Sequence, residues 1–236
     1  MTPATIGFWL CAAGLALPAS SPPSDLHLVV ESQFNYLASV RTTTTDMWMS
    51  TGRRTAKIGE TITIRREDLG IRWRINLKAG TYTEEKIEPP SPPPPPAKED
   101  IHTVGQNYYE PEFDWTLSDS GRKTTIAGRP CRQFLAAGDA DYAESTVKFW
   151  VCEPIAGITH PVNDAVISQM RNQSARKMVE QATAKQGSAW VLGIEETQEH
   201  SIAPTMVITV SVKTLDATAA PPGTFELPAN AKKAAR

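Results

Sequence analysis

Strict alternation of apolar and polar side chains marks the chain between Thr61 and Leu77. Ile62 and Ile64 alternate with threonine and arginine, and Ile71, Trp73, Ile75 and Leu77 alternate with Arg72, Arg74 and Asn76. A period of two predicts half-buried strands. Glu67-Asp68-Leu69-Gly70 between them predicts a turn. That loop length sets Ile64 opposite Trp73 and Ile62 opposite Ile75, so the apolar faces agree. The same register sets Arg65 opposite Arg72 on the other face, with Arg74 nearby. Like charges directly opposite are unfavourable, so water, carboxylates or an anionic ligand must relieve them.

Strand patterns recur on either side. Leu26 to Ala38 carries strand-forming residues, and Arg41 to Ser50 is threonine-rich with Met47 and Met49 on one face. Trp115-Thr116-Leu117, Lys123 to Gly128 and Cys131 to Ala137 follow, with a turn at Gly138 to Asp141. Val147, Phe149 and Val151 then alternate with Lys148 and Trp150. Asn163 to Gln186 predicts one long helix, with Pro161 before it and Gly187 after it. Val166, Met170, Ser174, Met178 and Ala182 make its narrow stripe, which suits a helix lying on a sheet with one side wet. Strands return at Ala189 to Glu195 and Thr205 to Val212, where Met206, Ile208, Val210 and Val212 share a face. Phe225-Glu226-Leu227-Pro228 closes the pattern. The expected class is α+β: an antiparallel sheet with one long helix packed on it.

The 236 residues suit a single domain over 25–230, preceded by a segment of different character. Ile6 to Leu17 is apolar for about a dozen residues, and Leu17-Pro18-Ala19-Ser20 supplies small residues after it. This reads as a signal peptide over 1–19, too short to span a bilayer, which needs roughly 20 apolar residues. It lacks a Lys or Arg before the apolar run. Cys11 follows Phe8-Trp9-Leu10, which do not suit lipoprotein processing. No membrane span is expected in the mature chain, and the expected location is periplasmic or secreted. A Pro-rich insertion covers 86–112, with Pro89, Pro90 and Pro92 to Pro96. It predicts exposed polyproline II, read as a spacer rather than a docking motif.

Cysteine use leaves an open choice. An even pair, Cys131 and Cys152, suits a disulfide in an oxidising compartment. A symmetric turn at Gly138 to Asp141 instead sets Cys131 opposite Lys148 or Phe149. Cys152 is then displaced by on the order of 10 Å, beyond the ~7 Å a disulfide tolerates. Both outcomes stand.

Charge excludes one class and raises another. With 24 basic and 26 acidic residues the net charge is −2, which argues against a nucleic-acid binder. From Arg41 to Thr83 nine basic residues face four acidic ones, a balance of +5; from Glu84 to Asp119 nine acidic face two basic, a balance of −7. Either Arg53, Arg54, Arg65, Arg72 and Arg74 form a patch for anionic headgroups or phosphates, or the two halves neutralise each other. The second is the plainer reading.

No catalytic or cofactor constellation emerges, so the chain reads as a non-enzyme without cofactor. His27, His102, His160 and His200 are scattered, and none has metal-ligand spacing. Ser174-Ala175-Arg176-Lys177 matches Ser-x-x-Lys, but Ser-Asp-Asn and Lys-Thr-Gly partners are missing, and Ser174 falls mid-helix. Asp139, Asp141 and Glu144 cluster at a turn without the spacing of a calcium loop.

Several short stretches carry a family resemblance. Ile64-Arg65-Arg66-Glu67-Asp68-Leu69-Gly70-Ile71-Arg72-Trp73 with Gly80-Thr81-Tyr82 is one. Ile126-Ala127-Gly128-Arg129-Pro130-Cys131-Arg132, Phe149-Trp150-Val151 and Phe225-Glu226-Leu227-Pro228-Ala229 are the others. They resemble uncharacterised exported bacterial domains similar to the LolA-like half-barrel of lipoprotein carriers. The resemblance implies a strongly curved antiparallel sheet with helix over its concave side, a hollow that holds acyl chains in carrier relatives. It implies no catalytic residue, and the Pro-rich stretch departs from it. On this reading Met47, Met49, Ile62, Ile64, Trp73, Ile75, Met206, Ile208 and Val210 line a hollow for an apolar or lipid-like ligand. The alternative is a structural or interaction domain with a filled core and an unidentified protein partner.

Overall fold

The computed structural model describes residues 25–88, 113–187, 189–201 and 203–234. The signal segment 1–19, Cys11, His102 and nearly all of the Pro-rich insertion 86–112 lie outside the described residues.

Among the described residues twelve strands form one open, curved sheet. In chain order they are β1 (Leu26–Tyr36), β2 (Ser39–Ser50), β3 (Arg53–Ile58), β4 (Thr61–Arg66), β5 (Ile71–Asn76) and β6 (Thr81–Lys86), then β7 (Asp114–Ile126), β8 (Arg129–Ala140), β9 (Ala143–Cys152), β10 (Trp190–His200), β11 (Met206–Ala217) and β12 (Lys232–Lys233). Their spatial order is β12-β6-β5-β4-β3-β2-β1-β11-β10-β9-β8-β7. All neighbours are antiparallel except β12, which runs parallel to β6. Two meanders are thus joined where β1 pairs with β11.

The Thr61 to Leu77 hairpin has the register its alternation predicts: Ile64 faces Trp73 and Ile62 faces Ile75. A 3-10 turn over Glu67–Leu69 links β4 to β5, and Gly70 ends it with a φ of 65°. That left-handed backbone suits glycine, which has no Cβ to clash.

The long helix is corrected to two short ones, α1 (Val162–Ile167) and α2 (Gln173–Ala184). Two residues after the break at Met170, Asn172 starts a new helix, its side chain accepting a hydrogen bond from the Ala175 backbone N–H at 2.8 Å. Asparagine is a strong N-cap and a weak helix-interior residue, so it divides the apolar stripe here. Arg176 braces the break by donating to the backbone carbonyls of Ser168 and Met170. Both helices lie on one face of the sheet, α1 against β10 and β11 and α2 against β9. Asn163 fixes α1 to β10: its amide donates to the Ala189 carbonyl, and its carbonyl accepts from the Val191 N–H.

The turn joining β8 to β9 sits two residues later than expected, at Asp141-Tyr142, with Ala140 opposite Ala143. That small slip restores the cysteine register. Cys131 lies directly opposite Cys152, Cα atoms 4.1 Å apart, and the two are joined by a disulfide. Both are nearly buried at the end of the main core.

The bridge spans 21 residues. A closed loop of that size constrains the unfolded chain by about 3 kcal/mol. Replacing both cysteines by alanine is expected to lower unfolding free energy by that order, read as a lower urea midpoint with the far-ultraviolet circular dichroism of the folded state unchanged.

Candidate functional site

The nine apolar residues expected to line one hollow occupy two opposite faces. Met47 pairs with Leu28 on β1 and Ala56 on β3, and Ala56 pairs with Thr63 on β4. Met47 therefore shares a face with Thr63 and Arg74, not with Ile62 or Ile64. Met47, Met49, Ile208 and Val210 are buried on the helix face, with Met206 half-buried beside them. Ile62, Ile64, Trp73 and Ile75 point to the other side. Ile64 and Ile75 are buried there, outside the main core.

A segment near the C-terminus covers that other side. Thr55 Oγ1 donates to the Thr224 carbonyl at 2.7 Å, and Arg66 Nη1 donates to the Phe225 carbonyl at 3.2 Å. The Arg53 guanidinium lies 5.0 Å from the centre of the buried Phe225 ring. The chain then joins the sheet edge, where the Lys232 N–H donates to the Gly80 carbonyl. The segment around Phe225 is thus a cover over β3 and β4.

On the helix face, α1, α2 and their linker pack Val166, Ile167, Met170, Met178 and Val179 into one cluster with Met47, Met49, Ile208 and Val210. Where the helices break, a cleft of about 300 Å³ opens between the helix linker and β1–β2. Phe34 and Ile208 form its apolar floor, and Arg41, Gln169 and Arg171 its polar rim. The Arg171 guanidinium sits 3.9 Å from the Phe34 ring centre. Further toward β9 the same face turns polar. Glu196 is fully buried between Val147 and Ile208, and Gln198 lies buried opposite Ser145. The sequence reading misses these groups because it ends the strand at Glu195. The signal is present in the continued alternation, which puts Ile194, Glu196 and Gln198 on one face.

Of the five arginines of the candidate anion-binding patch, Arg54, Arg65, Arg72 and Arg74 share the helix-side face of β3 to β5, and Arg53 lies on the opposite face against Phe225. Arg54, Arg65 and Arg72 stand in a row on three neighbouring strands, Arg65 directly opposite both others. Arg72 is paired with Glu85 and Arg65 with Glu67. Arg74 is exposed two residues further along β5.

The other candidates resolve individually. His27 contacts Asp46 at 2.8 Å and stacks on Trp48, His160 lies in the segment before α1, and His200 ends β10 opposite Ala143. Asp139 and Glu144 face each other at the β8–β9 hairpin. Among the described residues no group of three or more His, Cys, Asp or Glu side chains is placed to hold a metal. Ser174 opens α2 instead of falling mid-helix, because the helix is broken before it. Its hydroxyl accepts a hydrogen bond from Trp115 Nε1 at 2.9 Å. No described helix is long and apolar enough to cross a membrane.

No family model and no curated protein matches this chain. Similar solved structures include a LolA superfamily protein from Nitrosomonas europaea. It is 9% identical, covers 88% of this chain and 92% of its own, and has a TM-score of 0.33. A DUF1329 family protein from Desulfovibrio piger is 11% identical over 86% of this chain and 90% of its own, with a TM-score of 0.28. PNGF-II is 7% identical over 89% of this chain, which spans only 31% of the PNGF-II chain, with a TM-score of 0.32. LolA superfamily and DUF1329 proteins are thus among its structural neighbours.

Carboxylates at the β5–β6 edge make a pH prediction. The Trp73 indole N–H donates to Glu84 and holds its carboxyl below the ordinary range, with Lys233 adding to the effect. Arg72 does the same for Glu85, and Arg66 for Asp68. A carboxyl depressed in the folded state contributes stability fully above its unfolded value and loses it as pH falls through the folded one. These contacts should therefore persist at neutral pH and fail only below the ordinary carboxylate range. The Trp73 indole proton resonance, followed from pH 7 downward, is expected to shift only in that acid window.

Proposed function

We propose that this protein is a non-catalytic binding module of the bacterial envelope, taking an apolar, lipid-like ligand between its helix pair and its sheet. The observation that carries the reading is the cleft at the α1–α2 break, which reaches buried Ile208 beneath a cationic and amide rim. An apolar floor under a polar rim suits an amphiphile, with its chain inside and its head at the mouth. Beyond the floor the helix–sheet interface holds Met47, Met49, Met170 and Met178. Methionine is flexible and polarisable, so such an interface can repack around a chain of irregular shape. Export is supported by the apolar N-terminal stretch and by the Cys131–Cys152 disulfide, which suits an oxidising compartment.

A second reading is favoured by one observation. Helix residues already fill the sheet face, with Val166, Ile167 and Val179 almost fully buried there. On that reading the core is complete, and the protein serves as a structural or interaction domain.

Native mass spectrometry of the protein taken from its own envelope separates the two. Bound lipid supports the first, whereas ligand-free protein with a co-purifying partner supports the second. In vitro, an environment-sensitive fluorescent fatty acid is the probe. Gln169→Trp fills the cleft from its half-exposed rim without entering the core. It is expected to weaken uptake about tenfold, equivalent to ~1.4 kcal/mol, with an unchanged melting temperature. Equal uptake by the variant would remove the cleft as the entrance.

A further inference from the structure

We propose that Arg54 and Arg65 form a second binding site, for a phosphate-type oxyanion, at the end of the sheet away from the cleft at Ile208. The argument begins with a cost. Arg54, Arg65 and Arg72 project from directly opposed positions on β3, β4 and β5. Directly opposed side chains have Cβ atoms only about 4.5–5.5 Å apart, and like charges there are destabilising. Two of the three are relieved locally. Glu85 lies opposite Arg72 on β6 and pairs with it, and Glu67 approaches Arg65 Nε at 3.0 Å.

Arg54 has no such relief. Among the described residues no carboxylate lies within ion-pair distance of it, and its other cross-strand neighbour is the apolar Met49. Arg65 is only partly satisfied. Its Nε atom is buried and makes no hydrogen bond, since the approach of Glu67 lacks hydrogen-bond geometry. The row therefore ends in one uncompensated guanidinium beside another with spare donor capacity.

Both line a cavity of about 310 Å³. Met49 contributes an apolar side, and Thr159 and His160, from the segment leading into α1, form the facing wall. Exposed Asp164 and Glu67 also border the space, so the site suits a compact anion seated on the guanidiniums rather than an extended polyanion. Guanidinium groups present planar forks of N–H donors that match phosphate oxygens, and two on adjacent strands can close on one tetrahedral anion. Bound there, the anion supplies the negative charge that the row lacks. The site is independent of the lipid reading, because no residue of the Ile208 cleft borders it.

Thermal melts of the full chain in sodium phosphate, against sodium chloride at matched ionic strength, test the proposal. Phosphate is expected to raise the melting temperature by linkage. Arg54→Gln should abolish that rise without lowering the melting temperature in chloride, because it removes a repulsion with Arg65. Arg74→Gln, on the same face but outside the cavity, should keep the rise. If Arg54→Gln does not fold, the Arg65 Nε–H resonance of the unaltered protein decides, and it should move saturably with phosphate. Phosphatidylglycerol vesicles distinguish the sources. Arg54-dependent vesicle binding that phosphate competes away assigns a lipid headgroup, and a phosphate response without vesicle binding assigns free phosphate. No rise beyond chloride, an undiminished rise in Arg54→Gln, or a static Arg65 resonance overturns the site.

Discussion

β1 stands in the middle of the sheet, and Leu26, Leu28 and Val30 on it are almost wholly withdrawn from water. Burying such side chains contributes roughly 1.5–3 kcal/mol each, and the row extends across Met47 and Met49 on one side and Leu215, Val212 and Val210 on the other. This pairing joins the first strand to the next-to-last, so Leu26 meets Ala217 across nearly the whole chain. Every other placement follows from it. It ties the β2–β6 meander to the β7–β11 meander, and it decides which face the helices must cover. A charge at Leu28 would open the shared core of both meanders at once.

That constraint explains why the sheet divides into two working halves. Under the helices the central strands present aliphatic side chains and methionine. Beyond β2 the same face carries Ala56, Thr63 and the arginine row, which the start of α1 borders at one end. The opposite face of β3 to β5 carries the isoleucines and Trp73, and the segment around Phe225 covers it at β3 and β4. The sheet thus changes its buried side between its two halves. Aliphatic burial and a cationic surface stand side by side on one face because of that change.

Local pattern makes much of this legible. Alternation locates the β4–β5 hairpin and its register, and the spacing of Met206, Ile208, Val210 and Val212 on β11 marks a face turned to the core. What alternation cannot supply is the relation between faces on separate strands. Met47 and Ile64 each sit on an apolar stripe, yet the stripes face opposite ways because the β2–β3 turn at Thr51-Gly52 sets Met47 against Ala56. A single residue of slip would have put them together. The cysteine pairing depends on the same quantity: a turn at Asp141-Tyr142 instead of 138–141 brings Cys131 opposite Cys152. The helix break is legible in principle, since Asn172 followed by a polar turn is a start signal. A four-residue apolar spacing that continues across it masks that signal.

The break at Asn172 has consequences for any ligand. One uninterrupted helix over 163–186 would have presented a continuous ridge to the sheet. Instead α1 is bound to β10 through both polar groups of the Asn163 side chain, whereas α2 meets the outer strands through Ser174 and Trp115. The two halves of the cover are therefore held by different strands. Separating α2 from the sheet would expose Met178 and Val179 while leaving the Asn163 anchor intact. The cleft floored by Phe34 and Ile208 lies at the joint between these halves. An apolar chain entering there would lie beside α2, which the Ser174–Trp115 hydrogen bond ties to β7. On the proposed reading, the N-cap that divides the helices would set where such a chain enters.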